Sequence, residues 1–372
     1  MSRLAREIGS DFHLPDRSAI SAGSGAGRVL LSKGVVLCAS GRDALHAAIL
    51  SLRLTPSDEV LLPSYLCEDV MIPFVERGVR VIFYGVSSCL EADWEDIRRK
   101  VCPRTKALLL IHYFGFSQSS TITFMSQTYP EISLIEDCSH ALLSRRDGAW
   151  LWGGADVSVA SLRKLLPLPD GGLIARRPKC VSGGAPVVFR RSLRHGLFVG
   201  CRVAAAGLKG LWLRYPFFPK RLFRRLFSWS EGLLSASPKP ARMSCLSRRL
   251  LCSADLEAVI ATRRRNYAYL LENLQADETV RPLFPHLEEG VCPLGFPVLA
   301  TDRDGLAQAL IRERIYPPVH WELPRSVDRR EFAEAWSVSD RILTLPVDQR
   351  YTLEDMRRIV SVLRSYREVP TE

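Results

Sequence analysis

The sequence predicts an α/β fold, a mostly parallel sheet with helices on both faces followed by a small C-terminal α+β domain. Three observations lead there. Apolar runs of strand length alternate with amphipathic helical patterns from residue 35 to residue 176. Several of those runs, such as KALLLI and VSVASL, are apolar position after position, as strands covered on both faces are. After residue 252 the pattern changes to one long helix and a few further elements.

The first strand is VVLCA, residues 35–39. A helix follows it, with Ser40 as N-cap and Ala44, Leu45, Ala47, Ala48 and Leu52 as its apolar face. The strand–SG–helix junction points backbone N–H groups outward, which makes it a natural phosphate site. EVLLPSY reads as a strand with a proline exit, and the next helix ends at Gly78. VRVIFYGV is a strand, ADWEDIRRKV an amphipathic helix and KALLLIHYFG a buried strand. Residues 117–130 read as a polar, weakly helical crossover. ISLIED, DVSVASL and GLIAR complete the large sheet. The boundary to the small domain falls at 250/251, giving a large domain over 1–250 and a small one over 251–372. The small domain has strands in CPLGFPVLA and RILTLPV, with helices in SADLEAVIATRRRNYAYLLENL, DRDGLAQALIRER and TLEDMRRIVSVLRSY.

Chemistry enters at two strand ends. ISLIED delivers Asp137, and DVSVASL leads to Lys164. Parallel strands end at one edge of a sheet, so the acid and the lysine can face one ligand. Such a pair suits pyridoxal 5'-phosphate, with the lysine as Schiff-base nucleophile and the acid holding the pyridine nitrogen protonated. Taken alone, the two residues more often mean a solvated loop lysine and a capping acid.

Composition narrows the class. The chain has 372 residues, 47% hydrophobic and 24% charged, as in ordinary globular enzymes. The N-terminus lacks a secretory core, and no uninterrupted apolar run reaches spanning length, which predicts a cytoplasmic protein. Ten cysteines show no CxxC or zinc-type spacing, so they read as reduced thiols and no metal is expected. The net charge of +11 is local: residues 181–250 hold 14 Lys and Arg against one Glu, which leaves 37 basic and 39 acidic residues elsewhere, out of 51 and 40. That segment mixes arginines with Leu, Phe and Trp, and Leu222, Phe223, Leu226 and Phe227 have helical spacing opposite Arg221, Arg224 and Arg225. It reads either as peripheral contact with an anionic membrane or as a helical insertion that packs on a partner subunit or covers the site. No nucleic-acid motif is present, so no nucleic-acid partner is expected.

Six motifs in order carry a resemblance: SGRDAL (40–45), DEVLLPSY (58–65), RTKALLLIHYFG (104–115), IEDCSHAL (135–142), SLRKLLPLPDGG (161–172) and LTLPVD (343–348). The sequence resembles the DegT/DnrJ/StrS-type sugar aminotransferases, within the fold-type-I pyridoxal-phosphate enzymes. The resemblance implies that Lys164 is the Schiff-base lysine and proton carrier. It implies that Asp137 pairs with the pyridine nitrogen and that His140 contacts the cofactor's phenolic oxygen or ring. Ser40, Gly41, Arg42 and Asp43 would form the phosphate turn, with Ser161 adding a hydroxyl. His320 and Trp321 sit where the small domain would meet substrate. The implied reaction moves an amino group, usually from glutamate, to a nucleotide-linked keto-sugar, within a homodimer.

The chain also departs from the family pattern. Cys67, with Tyr65 the nearest aromatic, stands near the place of a ring-stacking aromatic. Arg42 and Asp43 replace small residues or Thr. A family asparagine that crosses the dimer interface has no clear match near 238–248, where Ser244 and Arg248 are substitutes only by position. The competing reading is a pyridoxal-phosphate-binding regulatory or scaffold protein at a membrane-associated assembly.

Overall fold

The computed structural model describes residues 7–14, 26–32, 34–177, 187–190, 193–215, 219–233, 239–274 and 279–367. Parts of the basic segment, including 181–186, 191–192, 216–218 and 234–238, lie outside the described residues.

The chain opens with β1 (Ile8–Gly9), β2 (Val35–Cys38), α1 (Gly41–Ser51), β3 (Glu59–Pro63), α2 (Glu68–Glu76), β4 (Arg80–Tyr84), α3 (Trp94–Lys100) and β5 (Thr105–Ile111). Then come α4 (Ser119–Thr128), β6 (Ser133–Asp137), the short hairpin β7 (Arg145–Arg146) and β8 (Ala149–Trp150), β9 (Val157–Ser161) and β10 (Gly172–Arg176). The basic segment contains α5 (Leu193–Arg214) and α6 (Lys220–Leu233). The C-terminal part holds α7 (Cys245–Cys252), α8 (Leu256–Leu274), β11 (Val280–Pro282), β12 (Phe296–Ala300), α9 (Arg303–Arg312), β13 (Ile315–Tyr316), α10 (Ala333–Arg341), β14 (Ile342–Leu345) and α11 (Leu353–Arg367).

The main sheet has seven strands in the order β2-β10-β9-β6-β5-β3-β4. Strands β4, β3, β5, β6 and β9 pair in parallel. Strand β10 is antiparallel to both its neighbours, β9 and β2, so it alone is reversed and β2 runs with the others. Burial explains the composition: every residue of β3 is buried, as is all of β5 except Lys106. The mostly parallel sheet expected from the sequence is therefore present, with one reversed strand that apolar patterning could not distinguish.

Several boundaries differ from the sequence reading. Strand β5 stops at Ile111 instead of running through IHYFG, because a 3-10 turn at Tyr113–Gly115 intervenes. Phe114 there has φ 54°, and Gly115 has φ 108° with a Cβ position only 2.5 Å from the Cys292 carbonyl oxygen, so only glycine fits. The crossover after it is a regular helix, α4. The long helix expected from residue 253 is α8, which begins at Leu256, and a short helix that the sequence reading did not separate, α7, precedes it. Leu193–Arg214 corrects another expectation, since by length and composition it could cross a membrane. Between Gly196 and Leu213 its only charged residues are Arg202 and Lys209. Both cations turn inward: Arg202 pairs with Glu231 at 2.8 Å, and the Lys209 ammonium donates to Ser10 Oγ at 2.6 Å.

The small domain is the antiparallel sheet β11-β12-β14 with helices against it. The N-terminal strand β1 pairs in parallel with β13, so the start of the chain is fastened to the C-terminal part. One apolar core runs from the large sheet through α8 into the small domain, and a second cluster lies beneath the Lys164 loop.

Candidate active site

The carboxyl ends of the six co-directional strands converge on one edge, where ligands of open α/β sheets bind. Strand β2 ends there and leads to Ser40 and α1; β6 ends in Asp137; β9 leads through a 3-10 turn, Leu162–Lys164, to the lysine.

Lys164 Nζ lies 3.1 Å from His140 Nε2. The other ring nitrogen, Nδ1, accepts the backbone N–H of Phe114 at 3.3 Å. A neutral imidazole with an occupied Nδ1 carries its proton on Nε2. That N–H therefore faces Lys164 Nζ. His140 is buried, and burial, followed by the charges of Lys164 and His320, holds its pKa well below the ordinary value. It is neutral near pH 7 and can donate without adding a second cation.

Asp137 is buried, with Oδ1 accepting from the Ser139 N–H at 2.7 Å. Its carboxylate keeps acceptor capacity on Oδ2 for a cationic N–H. Beside it, His112, Glu136 and Cys138 come within metal-ligand reach of one another. Glu136 already accepts from the N–H groups of Gly153 and Gly154 and from His112 Nε2 at 3.2 Å. Burial works to raise its pKa, but the His112 and Ser158 hydrogen bonds hold it below the usual value. This cluster is a buttress beneath the strand ends.

The phosphate-type turn is built from three segments. Ser40 caps α1, its Oγ accepting from the Asp43 N–H at 3.1 Å and donating to Asp43 Oδ2 at 2.5 Å. Asp43 Oδ1 accepts from the Ala241 N–H at 2.8 Å. The Ser40 and Asp43 side chains thus shape the turn, and its anion affinity rests on the backbone N–H groups and the helix dipole. Arg42 reaches Asp69 at 2.7 Å on α2. Ser161 stands against Gly41, where an added Cβ would come 3.1 Å from its own, and its N–H is held by Ser139 Oγ at 3.0 Å. Gly172 passes so close that a Cβ would lie 2.0 Å from the Ser40 carbonyl oxygen, which accounts for a glycine at the start of the reversed strand.

His320 and Trp321 close the site from the small domain. His320 Nδ1 is 3.0 Å from Thr344 Oγ1, and its ring centroid is 5.6 Å from that of His140. Burial and then Lys164 depress the His320 pKa to about 3. The Trp321 ring lies 5.0 Å from His140 and 5.6 Å from Lys164 Nζ. Tyr65 is fully buried beneath them, its hydroxyl donating to the His320 carbonyl and its ring 5.6 Å from Trp321. Cys67 caps the start of α2, and its thiol, raised by burial, feels both Lys164 and Asp137. A cavity of about 220 Å³ opens next to Lys164 and His320, walled in part by Gly9, Phe12, Thr344 and Arg350.

The structure thus brings Lys164, His140, Asp137, Cys67, His320 and Trp321 together and puts Ser40, Gly41 and Ser161 alongside, while Arg42, Asp43 and Tyr65 spend their polar groups on neighbours. Sequence reasoning did not single out Phe114, Ser139 or Thr344, although each lies within a motif that carries the resemblance. It also missed Arg263 and Gln349, which pin the carbonyl of Leu165, next to the lysine, at 3.4 and 2.9 Å. Asp170 is a further anchor, holding His195 of α5 at 2.9 Å and the Ser244 N–H and Oγ at 2.7 and 2.6 Å.

This donor set fits pyridoxal phosphate: a lysine, a buried carboxylate and a helix N-terminus share one edge. Comparisons with known proteins agree. Residues 28–179 match the DegT/DnrJ/EryC1/StrS aminotransferase family. GDP-perosamine synthase of Vibrio cholerae is 29% identical over 147 residues, 38% of this chain and 40% of that protein, so the match spans about two fifths of the relative. The UDP-N-acetyl-3-dehydro-alpha-D-glucosamine 3-aminotransferase of Acidithiobacillus ferrooxidans is 24% identical over 342 residues, 88% of this chain and 82% of that one. Among solved structures, the aminotransferase TlmJ of Streptoalloteichus hindustanus superposes with a TM-score of 0.68 at 20% identity, covering 95% of this chain and 91% of its own. DesV of S. venezuelae, solved with a ketimine intermediate, gives 0.68 at 17%, covering 97% and 92%. The fold is that of these solved aminotransferases, and residues 28–179 carry the match to the DegT/DnrJ/EryC1/StrS aminotransferase family.

Proposed function

We propose that this protein is a pyridoxal-phosphate-dependent aminotransferase that moves an amino group from glutamate to a keto-sugar carried on a nucleotide, and that it works in the cytoplasm as a homodimer. The observation that carries the reading is the Lys164–His140 contact, a neutral donor 3.1 Å from the amine at the strand edge that also ends in Asp137. The sugar acceptor is drawn from the relatives, whose names include GDP-, UDP- and dTDP-linked sugar enzymes.

Pyridoxal phosphate, when bound, supplies the carbonyl and the electron sink that amino transfer requires. The chain's own residues do the rest. The α1 N-terminus with Ser161 receives the phosphate. Asp137 holds a protonated ring nitrogen through a charge-assisted hydrogen bond. Lys164 would be the nucleophile toward the cofactor's carbonyl and the base that holds the proton amino transfer moves. His140 donates to the lysine nitrogen and, with Trp321, limits its swing. His320 and Trp321 narrow the entrance and exclude water.

An absorbance spectrum of the purified protein with added pyridoxal phosphate tests this. Wild type is expected to show a visible lysine-bound cofactor band that bleaches with glutamate. Lys164→Ala is expected to lack the band and to lose roughly 10⁴-fold in turnover, the upper end for a positioned proton-transfer group. A band that glutamate leaves unchanged would overturn the transaminase reading.

A further inference from the structure

We propose that the α5–α6 hairpin is a docking surface for an anionic lipid bilayer, so that the enzyme works at a membrane face.

The sequence concentrates its positive charge here, and the structure shows which of those charges look outward. Arg202, Lys209 and Lys220 are used internally, holding Glu231, Ser10 and Glu7. Arg194, Arg214, Arg221, Arg224 and Arg225 are exposed. The one acid between residues 181 and 250, Glu231, is occupied by Arg163 at 3.0 Å and Arg202 at 2.8 Å. Among the described residues, the hairpin therefore offers a solvent face whose exposed charges are positive apart from the half-exposed Glu231, which is paired with two arginines.

The same helices expose apolar side chains that a water-facing hairpin does not need. On α5, Leu193 is 92% exposed, Leu197 56% and Leu211 43%; on α6, Trp229 is 56% exposed. Leu193, Leu197, Ala204 and Leu211 recur at helical spacing along one face of α5, and Gly200 lies between them with open space where a Cβ would stand. A helix of this length is about 33 Å long. An uncharged stripe with arginines at its ends and on the neighbouring helix is the arrangement that lies in the headgroup plane of an acidic bilayer.

Charge selects this occupant over a second copy of the chain. A two-fold pairing of the α5 faces would set equivalent arginine-rich surfaces against each other. An acidic lipid surface is complementary to them, and each arginine near it strengthens binding by about fivefold. The two inward-turned cations of α5 argue against insertion across the bilayer, because both are tied to the protein.

The test uses the full-length, cofactor-loaded protein and sedimentation with vesicles of phosphatidylcholine alone or mixed with phosphatidylglycerol. Binding is expected only with the acidic vesicles, and weaker at high salt. The variant R221Q/R224Q/R225Q is expected to bind roughly a hundredfold less tightly, with its glutamate-induced spectral change intact. Leu197→Ser, at an exposed site that the fold does not need, is expected to weaken binding too. Three outcomes would overturn the proposal: no binding to acidic vesicles at low salt, equal binding by the triple variant, or an Ala204→Arg variant that dissociates an oligomer in sedimentation velocity. Any of these leaves the transaminase reading standing, since that rests on the Lys164 spectrum.

Discussion

The carboxyl edge of the sheet and the α5–α6 hairpin are both unusual stretches of sequence, yet they spend their charge in opposite ways. At the edge, Asp137, Glu136 and His140 are buried, and Lys164, though partly open to solvent, has a fixed partner. Lys164 meets His140, Asp137 meets the Ser139 N–H, and Glu136 meets several donors. On the hairpin, five arginines face solvent, and the cations that turn inward serve as ties. Enclosed charge in a low-dielectric site is sensitive to every neighbour, whereas exposed charge acts collectively and at a distance. Single substitutions should therefore be severe at the edge and mild on the hairpin.

The sharpest way to break that contrast is Asp137→Asn. The amide keeps an oxygen for the Ser139 N–H but loses the charge. A charge-assisted hydrogen bond worth about 3 kcal/mol disappears, so turnover should fall roughly a hundredfold. Steady-state kinetics at saturating cofactor reads the loss. A fall of less than threefold would mean that Asp137 does not hold the reacting ring.

The enclosed histidines give a pH test of intermediate size. The folded-state pKa of His320 is depressed to about 3, against about 6.5 in the unfolded chain. Between those values the unfolded state binds a proton that the folded state refuses, so unfolding takes up protons and stability falls as pH falls. From pH 7 to pH 5 the loss should be about 2 kcal/mol for this one residue. His320→Asn cannot take up that proton, so denaturant titrations should show a pH dependence shallower by that amount. His140 is pushed the same way by burial, then Lys164 and His320. Neither histidine should therefore contribute a limb near pH 6.5 to the rate profile.

What the sequence made legible follows the same division. The edge was readable because its residues sit at fixed offsets from strands: Asp137 ends one apolar run and Lys164 follows another. Ser40 was readable as a cap because helix capping is local. Partners supplied across the fold were not readable. Phe114 orients His140 only because Gly115 permits a left-handed turn, and Thr344 reaches His320 from β14, 24 residues further along the chain. The direction of β10 escaped too, because an apolar strand reads the same in either direction; the contact of Gly172 with Ser40 reveals it only in three dimensions. On the hairpin, composition showed the charge but not which cations face out, since that depends on Glu231, paired with Arg163 and Arg202, and on Ser10 and Glu7 from the start of the chain.

The smallest expected effect lies where the two regions touch. Arg163 is next to Lys164 in the chain, and its guanidinium reaches Glu231 on α6 at 3.0 Å while stacking near Phe198 of α5 at 5.4 Å. Burial works to raise the Glu231 pKa, but Arg163 and then Arg202 hold it below the usual carboxylate value. Its carboxylate is half exposed, so the pairing is screened, and Glu231→Gln should cost about 1 kcal/mol or less. Thermal unfolding should shift by roughly 2 °C, with turnover reduced by less than about threefold. If turnover falls tenfold or more while the melting temperature hardly moves, the hairpin positions the catalytic loop through Arg163, and the division between an enclosed edge and an outward-facing hairpin is too sharp. If both change little, the hairpin's charge serves what lies outside the protein, and the site owes its geometry to the sheet, Arg263 and Gln349.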